Sequence, residues 1–95
     1  MITPLTRPIQ AHGTDVTSIE LKEPTGQQII DIGFPYLILP GDGDEPAIEI
    51  RTKVIAKYIV VLGGIPPSSV GQLSGPDLSS LMGVVMGFFG VEAAV

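Results

Sequence analysis

Residues 74–90, SGPDLSSLMGVVMGFFG, decide how the rest of this chain must pack. Ser74 and Asp77 have the S-x-x-D spacing of a helix start, where a hydroxyl accepts unpaired backbone N–H groups and a carboxylate lies at the positive helix end. Pro76 is tolerated there because first-turn N–H groups need no intrahelical partner. The residues that follow are apolar on nearly every side of the helix. We therefore expect a helix over 75–90 that needs cover on nearly all sides, including cover from a partner.

The composition predicts a single domain, residues 1–95, with little strongly solvated surface. Hydrophobic residues make up an ordinary 44% of the chain, but charged residues make up only 16%. Five basic and ten acidic residues give a net charge of −5, which repels a phosphate backbone and argues against a nucleic-acid partner. The chain has no cysteine, so disulfides and thiolate metal sites are excluded.

The apolar run over 78–91 raises the question of a membrane span. Gly83 and Gly87 have the spacing with which membrane helices approach one another. However, Asp77 and Glu92 bracket fourteen residues, which give roughly 21 Å of helix at ~1.5 Å per residue, against a hydrocarbon core of ~30 Å. We expect a buried or oligomer-facing helix instead, and the first ten residues lack the layout of a secretory signal.

The first quarter of the chain predicts a β-hairpin over 3–23. Pro4 and Pro8 cannot donate ladder hydrogen bonds, so the first strand is expected at a sheet edge. Gly13 supplies the reversal because it can take a positive φ. Apolar and polar residues then alternate, as in a strand with one wet face. Because an isolated hairpin is marginal in water, this one must pack on helices.

The middle of the chain is less regular. Thr25 is a plausible N-cap for a short helix over 25–33. Residues 34–46 are predicted to be an irregular loop, in which Tyr36–Leu39 is either a short strand or an extended apolar strap. Residues 41–45, GDGDE, are expected to form a solvated loop.

Helices complete the prediction. A helix is expected over 47–63, with a favourable pair between Glu49 and Lys53 and a left-handed glycine cap at its end. A short helix over 67–73 leads into the helix over 75–90. The predicted fold class is α+β, with an N-terminal β-hairpin packed on a small bundle of three to four helices.

No residue pattern in the chain supports catalysis or metal binding. His12 is the single histidine and Asp15 lies near it, but the nucleophile elbow G-x-S-x-G is missing and His12 is expected in a turn. Asp42, Asp44 and Glu45 could attract calcium, yet their loop is too short for an EF-hand. We expect a protein that is not an enzyme and that needs no cofactor.

Five short motifs follow one another along almost the whole chain. They are L-x-x-P-I-x-A-H-G at 5–13, L-K-E-P-T-G at 21–26, G-I-P-P-S-S-V at 64–70, L-S-x-x-D at 73–77 and G-F-F at 87–89. In this order they resemble the small tail assembly chaperones of contractile-tailed phages, the Mu-like tail protein family.

The resemblance implies a role in the cytoplasm of the infected bacterium. Such proteins coat the long, largely helical tape-measure protein, keep it soluble, and leave as tube subunits polymerise, so they are absent from the mature virion or minor in it. Part of the product is commonly extended by a programmed −1 ribosomal frameshift, and residues 87–89 can be encoded with a slippery string. The implied partners are the tape-measure protein, further copies of the chain and a longer frameshifted form, with neither nucleic acid nor a membrane.

The predicted partner-binding surface lies on the last helix and on the outer edge of the helix over 47–63. A helix with more apolar circumference than its own domain covers is suited to self-association or to binding another amphipathic helix. The predicted residues are Leu81, Val84, Val85, Phe88, Phe89, Ile50, Val54 and Val61.

Each of these residues has a second interpretation, as ordinary core. Two other functions are also open, a small structural tail or baseplate protein retained in the virion and a small membrane protein built on 78–91.

Overall fold

The computed structural model describes residues 2–40 and 47–90. Its elements, in chain order, are β1 (Ile2–Ala11), β2 (Thr14–Glu20), α1 (Gly26–Ile32), β3 (Tyr36–Leu39), β4 (Ala47–Ile50), α2 (Thr52–Gly63), α3 (Pro67–Val70) and α4 (Gly75–Phe88). The fold is α+β, with an N-terminal antiparallel hairpin and helices packed on it, as predicted. The predicted GDGDE loop over 41–45 lies outside the described residues.

The β1–β2 hairpin closes through the two residues His12 and Gly13. Both have positive φ, 54° and 74°, which is the backbone shape that matches the twist of a two-residue hairpin. The His12 ring nitrogen Nε2 lies 3.3 Å from the Gly64 carbonyl oxygen, so the turn is tied to the end of α2. The prediction that His12 is a turn residue is confirmed.

Strand β1 contains an irregularity between Pro4 and Ile9, where the register with β2 shifts. Prolines at positions 4 and 8 cannot donate to the ladder, and the residues between them are not paired with β2. The freed N–H of Thr6 donates instead to the Asp77 carboxylate, at 2.9 and 3.0 Å to its two oxygens. A side chain at the start of α4 therefore completes the hydrogen bonding of β1.

The helix ends follow the sequence signals closely. Thr25 forms a full capping box with Gln28 at the start of α1. The Ser74 hydroxyl accepts the Asp77 N–H at 3.2 Å at the start of α4. Gly64 ends α2 in the left-handed conformation, with φ 66° and ψ 31°.

The core lies between the β1–β2 hairpin, α2 and α4. It is formed by Ile9, Ala11, Ile19 and Leu21 from the hairpin and the residue after it, by Val54, Ile55, Tyr58, Ile59 and Leu62 from α2, and by Ile65, Leu81, Val85 and Met86. Leu78, Met82, Val84 and Phe88 on α4 are half-buried against this cluster. None of the exposed large hydrophobic residues of the described chain lies on α4, so the fold itself covers most of that helix.

The predicted helix over 47–63 needs correction at its start. Ala47–Ile50 is strand β4, paired antiparallel with Tyr36–Leu39, and α2 begins only at Thr52. Isoleucines alternate with Glu49 in β4, and a partner strand of four apolar residues is available, so strand pairing prevails over helix extension. The predicted helical pair of Glu49 with Lys53 therefore does not form, and residues 34–46 are not wholly irregular.

The remaining differences from the predicted elements are confined to their ends. Strand β2 ends at Glu20, α3 is limited to Pro67–Val70, and α4 ends at Phe88. Helix ends fray, so the last residues of a predicted helix are often not helical.

Candidate partner-binding surfaces

The structure divides the predicted partner-binding residues into three classes of exposure. Leu81 and Val85 on α4 are fully buried, and Val54 on α2 is 8% exposed, so the fold covers these three side chains. The half-buried residues of the set are Val84, Phe88 and Phe89. The exposed ones are Ile50 and Val61. A role in partner binding stays a prediction for all of them.

The end of α4 packs into an aromatic cluster. The ring of Phe89 lies 5.4 Å from that of Tyr58 and 5.7 Å from that of Phe34, both in edge-to-face geometry. The ring of Tyr36 lies 6.1 Å from that of Phe34. Phe89 therefore connects α4 to the base of strand β3, and Phe34 carries the cluster out to the surface.

Strands β3 and β4 form a two-stranded apolar ribbon, residues 36–39 and 47–50. The sequence allowed a short strand over Tyr36–Leu39, but it did not predict β4 or the pairing. Direct pairing places Ile38 opposite Ile48 and Tyr36 opposite Ile50 on one face. On the other face Leu37 lies opposite Glu49. The exposed large side chains of the ribbon are Leu37, Ile38, Leu39, Ile48 and Ile50, with Ile38 65% and Ile48 54% exposed.

The apolar ribbon is also open along its edges. In the described part of the chain β3 and β4 pair only with each other, and the Arg51 N–H donates to the Pro35 carbonyl at 2.8 Å to close the base. A two-stranded sheet of four-residue strands has little stability of its own. An unpaired strand edge with apolar side chains can pair with a strand of another chain.

A second apolar surface is the groove between α2, α3 and the end of α1. It has a volume of about 590 Å³ and is open to solvent along its length. Its lining residues are Ile32, Ala56, Lys57, Val60, Val61, Pro67, Val70 and Gly71. Val61 is 46% exposed because the buried face of α2 points the other way.

The buried carboxylate of Asp77 accepts hydrogen bonds from strand β1. Burial raises its pKa, but hydrogen bonds from the Thr6 N–H and hydroxyl, from Ser74 and from the Arg7 backbone outweigh this, so the pKa lies below its ordinary value of 3.8. A carboxylate that accepts this many hydrogen bonds is ionised at neutral pH. Its donors lie in β1 and at the start of α4, so the carboxylate joins these two elements.

The match to known families decides the biological context. Residues 3–90 match the family described as phage tail assembly chaperone proteins, E, or 41 or 14. The chain belongs to this family. No curated protein matches the chain, and no solved structure matches it.

Membership of the tail assembly chaperone family assigns the chain to phage tail assembly. An assembly chaperone acts by binding tail proteins, which indicates a non-enzymatic role. Within residues 2–40 and 47–90, no group of three or more His, Cys, Asp or Glu side chains is placed to hold a metal ion. In the same two ranges no helix combines the length and the apolar character needed to cross a bilayer.

For this tail assembly chaperone, the sequence interpretation allowed strand β3 but missed its partner strand β4, although a signal for the pair was present. Tyr36–Leu39 and Ala47–Ile50 are short runs rich in β-branched and large apolar residues, separated by a segment rich in glycine and aspartate. Two such runs around a turn segment are typical of a hairpin. The signal is ambiguous because Ala47–Ile50 also continues the helical spacing of Ile55 and Ile59.

Proposed function

We propose that this chain binds the tape-measure protein in the bacterial host cytoplasm, keeps it soluble during tail assembly and is released before the virion matures. The supporting observation is that five of the nine exposed large hydrophobic residues in the described chain lie on the apolar ribbon, and that the α2–α3 groove adds a second apolar surface. Concentrated apolar surface on a small soluble domain marks an interaction site.

The contact residues of this proposal are those that a partner can reach. Ile50 lies on the ribbon and Val61 lines the groove, while Val84, Phe88 and Phe89 are half-buried at the C-terminal end of α4. The core cluster against which these side chains pack contains Leu81, Val85 and Val54, which would support the contact residues without touching a partner.

We also propose that the protein works as a homo-oligomer joined through the outer edge of β3. A two-fold pairing of β3 with β3 of a second copy places Leu37 near the second copy's Ile38, with no charge in the interface. The same pairing through β4 would bring two Glu49 carboxylates close together, which is unfavourable. Edge pairing through β3 would extend the ribbon to four strands and cover part of its apolar surface.

A frameshifted longer form is part of the same proposal. Such a form would continue the chain from the end of α4, next to the aromatic cluster of Phe34, Tyr58 and Phe89. A gene without any slippery string near codons 87–90 would contradict it, as would a single product mass in infected cells.

Co-expression with the tape-measure protein of the same phage tests the main proposal. The wild-type chain is expected to raise the soluble fraction of that protein, and the double variant Ile38→Asp/Val61→Asp is expected to lose most of the effect. The matched control Thr17→Asp/Ile30→Asp also adds two carboxylates at exposed positions but outside both surfaces. Circular dichroism checks that both variants fold. No gain in solubility with the wild type would contradict the proposal.

Mass spectrometry of purified virions separates the chaperone from a structural tail or baseplate protein. A released chaperone is expected to be nearly absent relative to tube subunits. Stoichiometric amounts of the chain in the particle would favour the structural alternative.

A further inference from the structure

Helices α2 and α3 form the walls of the α2–α3 groove. Its apolar lining comes from Ala56, Val60 and Val61 on α2 and from Pro67 and Val70 on α3. The backbone groups of helix interiors are already paired within the helix. An extended segment would therefore find no strand edge here and would leave its own backbone groups unpaired. A helix satisfies its own backbone and brings only side chains to the groove, so the walls favour a helical occupant.

The rim of the groove is basic although the protein is acidic. Of the five basic residues in the chain, three are Arg51, Lys53 and Lys57, in the residue before α2 and its first turns. Lys57 lines the groove, and Lys53 lies one turn before it at i, i+4 spacing on the same side of α2. Both are exposed, and neither forms an ion pair within the described residues. Arg51 and Lys53 share a neighbouring depression with Glu49, whereas the lining of the groove contains Lys57 and no acidic residue. Lys57 therefore attracts negative charge to the groove even though the net charge is −5.

We propose that the groove binds an amphipathic α-helix of the client protein, whose apolar stripe is flanked by Asp or Glu residues that pair with Lys57 and Lys53. This inference rests on the proposed chaperone function and specifies the chemistry of the client segment. The α2 residues that line the groove span positions 56–61, which give a wall of roughly 9 Å at ~1.5 Å per residue, so a bound helix contacts it through about two turns.

Fluorescence anisotropy with overlapping peptides that tile the tape-measure protein of the same phage tests this inference. Peptides of about 20 residues are long enough to span the groove as helices. At least one peptide with an acidic-flanked apolar stripe is expected to bind the wild-type chain. Val61→Asp is expected to weaken that binding at least about tenfold, because it leaves an unpaired carboxylate against apolar side chains.

The matched control for Val61→Asp is Ile30→Asp. Ile30 is 78% exposed near the C-terminal end of α1 but does not line the groove. Both variants therefore place a new carboxylate near the end of a helix, and only one places it in the groove. If Val61→Asp unfolds the chain, Val61→Ala is used, with a weaker expected loss of about threefold from the apolar contact removed.

A charge reversal tests the basic rim separately. Lys57→Glu is expected to weaken binding about fivefold at low ionic strength and less at high ionic strength, because exposed charges are screened by salt. Lys22→Glu makes the same change of charge at an exposed residue outside the groove and is expected to leave binding within about twofold. A peptide with its acidic residues changed to lysine is expected to regain affinity for Lys57→Glu.

These experiments distinguish a failure of the groove inference from a failure of the proposed chaperone function. If no peptide binds and the wild-type chain does not solubilise the tape-measure protein, the proposed function fails. If the protein is solubilised but Val61→Asp and Lys57→Glu bind as their controls do, the groove inference is overturned. A loss confined to Ile38→Asp would likewise place the client on the apolar ribbon and overturn it.

Discussion

At the scale of single residues, Asp77 shows how one side chain serves two elements. Its N–H is capped by Ser74, while its carboxylate accepts from Thr6 in β1, 71 residues away in sequence. The S-x-x-D spacing predicted the first role because helix starts are local. The second role was not predictable, since it depends on a strand irregularity meeting the helix start in three dimensions.

Replacing Asp77 with Asn is expected to lower stability at neutral pH. The amide keeps one acceptor oxygen but loses the charge that strengthens the bonds from the Thr6 N–H and hydroxyl. Because the folded pKa lies below 3.8, the carboxylate contributes stability that is present above that value and lost as pH falls through the folded pKa. The wild-type advantage in urea midpoint should therefore shrink on acidification below about pH 4.

Asp31→Asn is the control for this prediction, since Asp31 is exposed and accepts only from the Gln27 side chain within α1. It is expected to change the midpoint little at any pH. An Asp77→Asn chain as stable as the wild type at neutral pH would contradict the assigned role.

Tyr58 is the second residue with a role beyond packing. It is fully buried, and its hydroxyl donates to the Gly33 carbonyl at 2.5 Å, while burial raises its pKa. Tyr58→Phe is expected to cost about 1–2 kcal/mol in the free energy of unfolding, measured by urea denaturation. Tyr36→Phe serves as control, because the Tyr36 hydroxyl makes no hydrogen bond in the described structure. Equal effects of the two changes would contradict the prediction.

At the scale of elements, the sequence predicted what local signals specify. The hairpin, the caps at Thr25, Ser74 and Gly64, and the core face of α2 all follow from spacing and capping chemistry. The border between β4 and α2 did not, because Ile48 and Ile50 fit both a helical stripe and an alternating strand. Pairing with Tyr36–Leu39 settles that ambiguity, and it is a non-local contact.

Two glycines in helices test the packing of the elements. A Cβ at Gly63 would lie 3.0 Å from Ile19 Cγ2 and 3.3 Å from Leu21 Cδ2, so Gly63→Ala is expected to destabilise by about 1 kcal/mol through overpacking. A Cβ at Gly83 would meet nothing within 4 Å, so Gly83→Ala is expected to stabilise by about 0.5–1 kcal/mol. Urea denaturation measures both. Similar shifts in the same direction would contradict the close packing of α2 on the hairpin.

The apolar ribbon gives a prediction about assembly. Ile38→Asp is expected to shift the protein toward the monomer in sedimentation equilibrium, because Ile38 belongs to the β3 edge proposed for self-pairing. Thr17→Asp on the exposed face of β2 is expected to leave the distribution unchanged. A wild-type chain that stays monomeric at high concentration would contradict the proposed oligomer.

At the scale of the whole molecule, the closed core and the open apolar surface are separate. The sequence indicated that a chain poor in charge would present apolar surface to a partner. It placed that surface on the last helix, which has the longest apolar run, and on the outer edge of the helix predicted over 47–63. The hairpin and α2 cover most of α4, and most of the exposed large hydrophobic residues in the described chain lie on the ribbon. Whether one helix is covered by other elements depends on tertiary packing, which the pattern of apolar residues along the sequence does not show.

Hydrogen–deuterium exchange of the chain, alone and with the tape-measure protein, tests the central claim most directly. The core amides of α4 are expected to be protected already in the free protein. Addition of the client is expected to increase protection in α2 and α3 around the groove, and higher chain concentration to increase it in residues 36–39. Protection gained only within α4, with the groove and the ribbon unchanged, would contradict the account.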